Sequence, residues 1–278
     1  MPAFYFLKRF FIDKNLIKFK VKKSFSKYNN MKISPQNILF LTAIHGDEPI
    51  GVEVMQRLER EGLKPNWIIG NEKAFKKGKR FIEVDLNRVA PGKRKSKKYE
   101  LSRAYQILKI AKKYKCVIDI HETVSNTGIF LIVTKARISN LQLSLALPFK
   151  RVVIWEGKNP KKGPITQFLP YSLGIECGPK NSKKNRERLF QVLKKIVIEG
   201  IKIPASLKVE RKDWYEVFGK IPKSTFKASN DIKLKDFEKT TIKKETFYPL
   251  LVGQYPEILC YKMRKIDPKK IKNILKKR

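Results

Sequence analysis

The sequence predicts an α/β protein whose central sheet is parallel or mixed. From residue 37 onward, strand-like and helix-like segments alternate, which is the pattern of a layered α/β architecture. The run from Cys116 to His121 is almost continuously apolar, as expected for a strand covered on both faces. With 278 residues, 42% of them hydrophobic, the chain is long enough for one large domain and a smaller appendage.

Six strands and three helices are predicted before residue 204. The strands are Asn37 to Ile44, Trp67 to Ile69, Cys116 to His121, Ile129 to Thr134, Val152 to Trp155 and Leu173 to Cys177. The helices have apolar residues on one face over Ile50 to Glu61, Leu101 to Ala111 and Leu189 to Val197. Gly62 ends the first helix, while Ser182 caps the third and Gly200 ends it.

The pattern changes after Pro204 to short β-like pieces separated by charged turns. These pieces are Leu207 to Val209, Trp214 to Phe218, Phe247 to Val252 and Ile258 to Tyr261. We therefore expect a main domain over residues 31–204, a β-rich domain over 205–265 and a basic tail over 266–278. The lysine-rich tail is interpreted as a helix or a disordered arm.

Residues 1–30 form a basic, aromatic extension with two open interpretations. Its apolar residues alternate with lysine and arginine, so it lacks the unbroken apolar core of a signal peptide. It is either a basic amphipathic segment that lies on an anionic surface or sequence upstream of the true start. The second interpretation is suggested by Met31, which leads directly into the first core strand.

The net charge of +38 comes from 63 Lys+Arg against 25 Asp+Glu. Such an excess can indicate nucleic-acid or membrane contact. The lysines are spread over nearly every segment without an aromatic-interleaved RNA-binding signature, so we favour a solvated basic surface and expect no dedicated nucleic-acid partner. The same field would attract anionic substrates.

The cysteine pattern and the hydropathy favour a cytoplasmic protein without a membrane span. Cys116, Cys177 and Cys260 are odd in number and have no CxxC spacing, so nothing favours an oxidising compartment. No run approaches the ~18 to 20 uninterrupted apolar residues of a transmembrane helix. The sequence leaves the oligomeric state open.

The two histidines of the chain both lie in segments that suggest a metal site. His45 and Glu48 form a His-x-x-Glu loop, and His121 ends the apolar run that starts at Cys116. Two imidazoles and one carboxylate are a typical ligand set for catalytic zinc, with a fourth position open. Because His45 follows one predicted strand and His121 ends another, the ligands could meet at the carboxyl ends of the sheet. The alternative is that two surface histidines occur there by chance.

Two further carboxylates accompany this predicted site. Asp119 points to the same side of its strand as His121, where it could orient the imidazole; the alternative is a strand-end hydrogen bond. Glu176 lies within an apolar strand, where a carboxylate is costly unless it is paired or functional. It is a candidate general base, and the alternative is a buried ion pair.

The segment Arg80 to Arg88 adds groups that can bind oxygen atoms. An arginine can clamp a carboxylate or polarise a scissile carbonyl, and an asparagine can hold a second oxygen. Arg80, Asn87 and Arg88 are therefore candidates, although arginines alone mean little in a chain with 63 basic residues.

Four motifs, in this order, resemble the succinylglutamate desuccinylase/aspartoacylase family, relatives of the zinc carboxypeptidases. The motifs are His45-x-x-Glu48, Arg80 to Arg88 with its Asp-Leu-Asn-Arg, Asp119-Ile-His121-Glu-Thr and Gly174-Ile-Glu176-x-Gly-Pro. The resemblance covers about residues 37–200, and more weakly the β-rich end. It implies a three-layer α/β/α, zinc carboxypeptidase-like (phosphorylase/hydrolase-like) catalytic domain with a small β-rich C-terminal domain that narrows the site.

The resemblance also implies roles for individual residues. One Zn²⁺ per chain would be bound by His45, Glu48 and His121, and Glu176 would be the general base. Arg80 would polarise the scissile carbonyl, whereas Asn87 and Arg88 would hold a substrate carboxylate. Tyr255 is the best match to the late substrate-binding tyrosine of the family.

The sequence departs from aspartoacylases about ten residues before Glu176. There the family places a further arginine, whereas this chain has Thr166 and Gln167. The expected function is a zinc-dependent hydrolase that cleaves the amide bond of a small anionic N-acyl amino acid. The alternatives are a metallocarboxypeptidase or peptide amidase with the same site, and a basic nucleic-acid or membrane-surface binder on an idle fold.

Overall fold

The central element of the fold is a ten-stranded mixed sheet. The computed structural model describes residues 31–157, 159–204, 208–225, 233–242 and 244–276, so the N-terminal extension lies outside the described residues. The strands are β1 (Lys32–Ile33), β2 (Ile38–Thr42), β3 (Trp67–Ile69), β4 (Cys116–Glu122), β5 (Ile129–Val133), β6 (Arg151–Ile154), β7 (Ser172–Cys177), β8 (Ile201–Lys202), β9 (Asp213–Pro222), β10 (Thr240–Ile242), β11 (Glu245–Leu250) and β12 (Ile258–Lys265). The large sheet has the order β10-β11-β12-β9-β6-β5-β7-β4-β2-β3, and β1 pairs with β8 separately.

The strand directions bring three chain segments to one edge of this sheet. Strand β4 is parallel to both β2 and β7, so these three strands end on the same side. Strand β5 is antiparallel to β7, which makes the sheet mixed. The residues that follow β2 and those that end β4 and β7 are therefore neighbours, as expected from the sequence.

Helices cover both faces of the sheet. They are α1 (Ile50–Arg60), α2 (Glu72–Lys76), α3 (Tyr99–Ala111), α4 (Ile138–Ala146), α5 (Lys183–Glu199) and α6 (Pro268–Lys276). One apolar cluster joins the sheet to α1, α4, α5 and α6, and a second joins its other face to α3. All seven residues of β4 are buried, which explains the near-continuous apolar run. The predicted three-layer α/β/α architecture is confirmed.

The predicted helix termini agree closely with the structure. Ser182 accepts a hydrogen bond from the Asn185 amide through its side chain, and α5 ends at Gly200, whose φ is 77°. The first helix ends one residue earlier than predicted, with Glu61 as its C-cap. The basic tail forms α6, whose Ile271 and Leu275 are buried in the core.

Some elements differ from the sequence prediction. The strand predicted over Leu207 to Val209 is wrong in its described part, because Val209 begins a 3₁₀ turn, Val209–Arg211. The Val209 carbonyl accepts a hydrogen bond from Trp214 Nε1 at 2.8 Å. Helix α4 and the short helix α2 were not predicted.

The strands after residue 205 extend the main sheet. Strand β9 pairs in parallel with β6, from Arg151 opposite Asp213 to Ile154 opposite Glu216. Strands β12, β11 and β10 then follow in antiparallel order. The division into a main domain and a β-rich domain stays a prediction, but the backbone hydrogen bonding between them is continuous.

Among the described residues, no helix combines the length and apolar character needed to cross a bilayer.

Gly46 fixes the position of the loop between β2 and α1. A Cβ atom there would lie 2.2 Å from the Ala74 carbonyl carbon and 2.3 Å from the Phe75 nitrogen, both backbone atoms. Gly46 also donates its amide hydrogen to the Arg80 carbonyl at 3.1 Å. This loop can therefore pack against α2 only without a side chain at position 46.

We predict that Gly46→Ala lowers the free energy of unfolding by about 1 to 3 kcal/mol, because backbone must move to admit the methyl group. The matched control is Gly174→Ala, where the nearest atom to a new Cβ is Ile132 Cβ at 3.6 Å, an ordinary contact. Denaturant unfolding of both variants measures the difference. Equal stability of the two variants would contradict the close packing at Gly46.

Candidate metal centre and active site

The loop after β2 carries the first two candidate ligands. His45 and Glu48 are 4% and 6% exposed, respectively, and the Glu48 amide donates to the His45 carbonyl at 3.1 Å. Helix α1 begins two residues later, at Ile50. The loop thus turns both side chains inwards at the end of the strand.

His45, Glu48 and His121 form one buried cluster. Glu48 Oε1 lies 2.7 Å from His45 Nδ1, and Glu48 Oε2 lies 2.9 Å from His121 Nδ1. One donor atom from each residue lies within 4.8 Å of the others, so the group could hold a metal ion. Two nitrogens and one carboxylate oxygen match the donor set of a catalytic zinc site with an open fourth position.

Second carboxylates orient both imidazoles. Asp119 Oδ2 lies 2.9 Å from His121 Nε2, which leaves Nδ1 of that ring towards Glu48. His45 Nε2 lies 3.2 Å from Asp85 Oδ1 and 2.8 Å from Arg80 Nη2. A ring nitrogen cannot donate to the carboxylate and accept from the guanidinium at once. A metal bound at Nδ1 would select donation to Asp85, because Nε2 would then carry the hydrogen.

The charges of the cluster are tightly coupled. Burial alone would lower the pKa of both imidazoles, but neighbouring carboxylates raise it above its usual value, and well above it for His121. Burial alone would raise the pKa of Glu48, but His45 and His121 hold it below the usual range. The carboxylate is therefore ionised at neutral pH.

A buried glutamate shapes the loop that carries Arg80. Glu100, in the first turn of α3, is fully buried and accepts hydrogen bonds from the Ile82, Glu83 and Val84 amides. The Ile82 bond is the shortest of these, at 2.7 Å. With its backbone held in this way, the loop places Arg80 Nη1 at 3.3 Å from Glu48 Oε1.

Glu176 lies beside the cluster of His45, Glu48 and His121, on the neighbouring strand. It is directly opposite His121 in the β4–β7 register. No described residue forms a salt bridge with it, so the structure gives no support to the buried ion pair that was the alternative interpretation. Burial raises the pKa of Glu176 to about 7, against the opposing effect of the His121 charge.

A cavity of about 330 Å³ opens next to these groups. Its lining includes His45, Arg80, Asn87, Arg88, Glu176 and Tyr255, together with Ile132 of β5, Tyr261 of β12 and Trp155, which follows β6. Its volume falls within the size range of small-molecule sites, roughly 300 to 1,000 Å³. The structure therefore brings Arg80, Asn87, Arg88 and Tyr255 to the same cavity as the candidate base and one candidate metal ligand.

The C-terminal strands complete this cavity through a tie to the loop after β4. Gln254 Oε1 accepts hydrogen bonds from Thr123 Oγ1 at 2.5 Å and from the Val124 amide at 2.9 Å. Two residues after Thr123, the Ser125 hydroxyl donates a hydrogen bond to the Asp236 carboxylate. Because Gln254 precedes Tyr255, this tie fixes the tyrosine over the site, with its ring 5.5 Å from the Arg80 guanidinium carbon.

Comparison with known families decides the broader relationship. The model of the succinylglutamate desuccinylase/aspartoacylase catalytic domain matches residues 35–198, which is more than half of the chain. The chain belongs to the succinylglutamate desuccinylase/aspartoacylase family. The resemblance inferred from the four motifs is thereby confirmed.

Individual relatives match over part of their length. A protein described as a probable aspartoacylase from Prochlorococcus marinus (strain AS9601) is 30% identical over 162 residues, 51% of this chain and 54% of that protein. The aspartoacylase of Danio rerio is 26% identical over 179 residues, 55% of this chain and 57% of that protein. The chain thus spans about half the length of the curated relatives it matches.

Solved structures of the family share the fold. Murine aminoacylase 3 has a TM-score of 0.65 at 17% identity, covering 85% of this chain and 97% of that one. Succinylglutamate desuccinylase from Chromobacterium violaceum has a TM-score of 0.62 at 15% identity, covering 86% of both chains. At these identities the likeness shows the fold alone.

Three groups that shape the site were not assigned from the sequence. They are Asp85, which orients His45; Glu100, which holds the Arg80 loop; and Gln254, which holds the Tyr255 segment. Asp85 stands in the Asp-Leu-Asn-Arg motif, so its position gave a signal. The other two act through long-range contacts that no local pattern marks. The roles of the predicted residues stay proposals, although their placement agrees with them.

We predict that the protein binds one zinc ion per chain and that His121→Ala abolishes stoichiometric binding, because it removes one of three ligands. Asp119→Asn should retain the ion with an affinity lowered ~10- to 100-fold, since that residue only orients a ligand. Equilibrium dialysis followed by metal analysis measures both effects, with the exposed Asp267→Asn as the surface control. Undiminished stoichiometric zinc in His121→Ala would contradict the ligand set.

Proposed function

We propose that this protein is a zinc-dependent hydrolase that cleaves the amide bond of small N-acyl amino acids. His45, Glu48 and His121 hold the metal, and Glu176 is the general base. Arg80 stabilises developing charge, while Asn87, Arg88 and Tyr255 contact the substrate. Membership of the family supports an amide-bond hydrolase as the class of activity.

One observation carries this proposal: Glu176 has no ion-pair partner among the described residues and lies opposite His121. A half-buried carboxylate without such a partner is costly for stability, so a catalytic role is the stronger explanation. It also lines the cavity that His45 and Arg80 line. A base in this position can reach a water molecule that attacks a substrate held in the cavity.

The proposed chemistry divides between a few side chains. Zinc, when bound, supplies polarisation of the scissile carbonyl and activation of water. Glu176 takes a proton from the attacking water and passes it to the leaving nitrogen. The Arg80 guanidinium opposes the negative charge that develops on the carbonyl oxygen. Asp85 and Glu48 hold Arg80 in place, at 3.5 and 3.3 Å.

The size of the cavity favours a small substrate over a peptide. At about 330 Å³ it lies at the lower end of the range of ligand sites. The hydrogen bond between Thr123 and Gln254 also holds the segment before Tyr255 against the loop after β4, beside the cavity. A metallocarboxypeptidase or peptide amidase would need a longer groove, so we place these activities second.

An idle fold that serves only as a basic binding surface is a weaker explanation. Such a protein would have no physical reason to keep Glu176 unpaired in the cavity or to orient both imidazoles with carboxylates. The basic surface and the cytoplasmic location stay predictions. A metal requirement for hydrolysis would separate the enzyme from the binder directly.

We predict that Glu176→Gln lowers kcat by ~10² to 10⁴, because the amide cannot accept a proton from the attacking water. Glutamine has the same shape, so zinc content and substrate affinity should stay nearly unchanged. Kinetics of N-acyl amino acid hydrolysis measure the effect, with the exposed Glu199→Gln as the matched control. A Glu176→Gln enzyme with near-normal kcat would place the base elsewhere.

The two arginines should affect different kinetic constants. Arg80→Ala should lower kcat about 10²-fold or more, because it removes charge that opposes the oxyanion. Arg88→Ala should mainly raise KM, since a carboxylate contact is equally strong in the ground and transition states. Arg94→Ala is the surface control. If the two substitutions changed the same constant to the same extent, the separate roles would be wrong.

A further inference from the structure

One guanidinium joins the two chain segments that carry the candidate metal ligands. Arg186, in the first turn of α5, donates to Glu122 Oε1 at 2.6 Å through Nη2 and to the Glu53 carboxylate through Nη1. Glu122 ends β4 directly after His121, and Glu53 lies in α1. Arg186 thus contacts both the strand that presents His121 and the helix that begins two residues after Glu48.

The Glu122 side chain lies behind the candidate metal ligands. Successive side chains of a strand alternate in direction, so Glu122 points away from the face that His121 and Glu176 share. Its side chain is 1% exposed, and among the described residues only Arg186 forms an ion pair with it. Glu122 is also absent from the lining of the cavity. It therefore supports the site from behind and is not placed to touch a substrate.

The position of Glu122 matters for Glu48 because the two residues are directly bonded. The Glu122 amide donates to Glu48 Oε2 at 3.3 Å, and the same oxygen lies 2.9 Å from His121 Nδ1. Glu53 belongs to the first turn of α1, which continues directly from the Glu48 loop. Both carboxylates held by Arg186 are therefore connected to Glu48, one through a backbone amide and the other through the start of a helix.

A second basic side chain of the same segment supports the loop after β2. Lys180 Nζ donates to the Asp47 carbonyl at 2.8 Å, and the Lys180 amide donates to the Thr123 carbonyl at 2.7 Å. Lys180 thus also joins this loop to the residues after β4. Because Lys180 and Arg186 both follow β7, the segment that leaves the Glu176 strand holds the two metal-ligand segments together.

A second ion pair between α1 and α5 allows the contribution of position to be separated from that of stability. It joins Arg57 to Glu187, and the Glu53 and Glu187 side chains are 51% and 50% exposed. Ion pairs of such exposed groups add little to stability. The pairs differ in that Arg186 also binds Glu122 of β4, whereas no ion pair of Arg57 among the described residues reaches a strand.

We propose that Arg186 is a positioning residue for the metal site. Because it holds Glu53 and Glu122 at once, it sets the separation between the Glu48 loop and the end of β4. A planar guanidinium suits this role, since its terminal nitrogens donate in fixed directions, whereas the donors of a lysine ammonium rotate. This inference rests on the proposed zinc site and adds a residue that fixes its geometry.

The first test compares Glu53→Gln with Glu187→Gln, which breaks the equally exposed pair to Arg57. Both variants leave the buried Glu122 paired, so both should fold with similar melting temperatures. Competition with a chelator should show zinc affinity lowered ~10-fold in Glu53→Gln, the scale on which groups behind a ligand act. It should stay within ~2-fold of wild type in Glu187→Gln. Equal zinc affinity of the two variants would overturn the inference and leave the zinc site intact.

Substitution by lysine separates the charge of Arg186 from its shape. Arg186→Lys keeps a positive charge beside Glu122, so the protein should remain folded, but zinc affinity should fall ~10-fold. The visible absorption spectrum of the Co²⁺-loaded protein, which reports ligand geometry, should change in Arg186→Lys and not in the control Arg57→Lys. Wild-type affinity and spectrum in Arg186→Lys would show that charge alone is sufficient and would overturn the inference.

A third measurement is independent of the metal. Hydrogen–deuterium exchange of the metal-free protein over residues 43–49 and 119–124 should be several-fold faster in Glu53→Gln than in Glu187→Gln. If the wild-type protein bound no zinc, the proposed function would fail, and this comparison would still decide whether Arg186 positions the two segments. Equal exchange in the two variants would overturn the inference.

Discussion

The Glu48 carboxylate between the two imidazoles is the contact on which the rest of the site depends. Its oxygens lie 2.7 Å from His45 Nδ1 and 2.9 Å from His121 Nδ1, although His121 is 73 residues further along the chain. Parallel pairing of β2 with β4 makes this possible, because the two strands end at the same edge. Asp85 contacts the His45 imidazole on its other side, and Asp119 does the same for His121. The hydrogen bonds of the protein itself thus bring the three candidate ligands together.

The same site needs the C-terminal strands. Strand β9 continues the sheet beside β6, and this pairing carries β11 and β12 to the mouth of the cavity. Gln254 then ties that part of the chain to Thr123, two residues after His121. The candidate metal ligands and the C-terminal strands are therefore parts of one framework.

Most strands of the main sheet, and the grouping of His45, Glu48 and His121, could be predicted from the sequence for physical reasons. Strand β4 is buried on both faces and so has a continuous apolar run, and the scarcity of histidine made His45 and His121 conspicuous. Helix α4 was missed because Leu141, Leu143 and Leu145 alternate with a period of two, as in a strand. The structural roles of Glu100 and Gln254 could not be predicted from the sequence, since their hydrogen-bond partners lie 18 and 131 residues away along the chain.

The most direct test of the proposed zinc site is anomalous diffraction at the zinc edge from zinc-loaded crystals. We expect a single strong peak at ~2.0 to 2.2 Å from His45 Nδ1, His121 Nδ1 and one carboxylate oxygen of Glu48, the usual bond lengths of such a site. A zinc peak beside other side chains, or zinc-loaded crystals without a peak between these three residues, would contradict the proposed site.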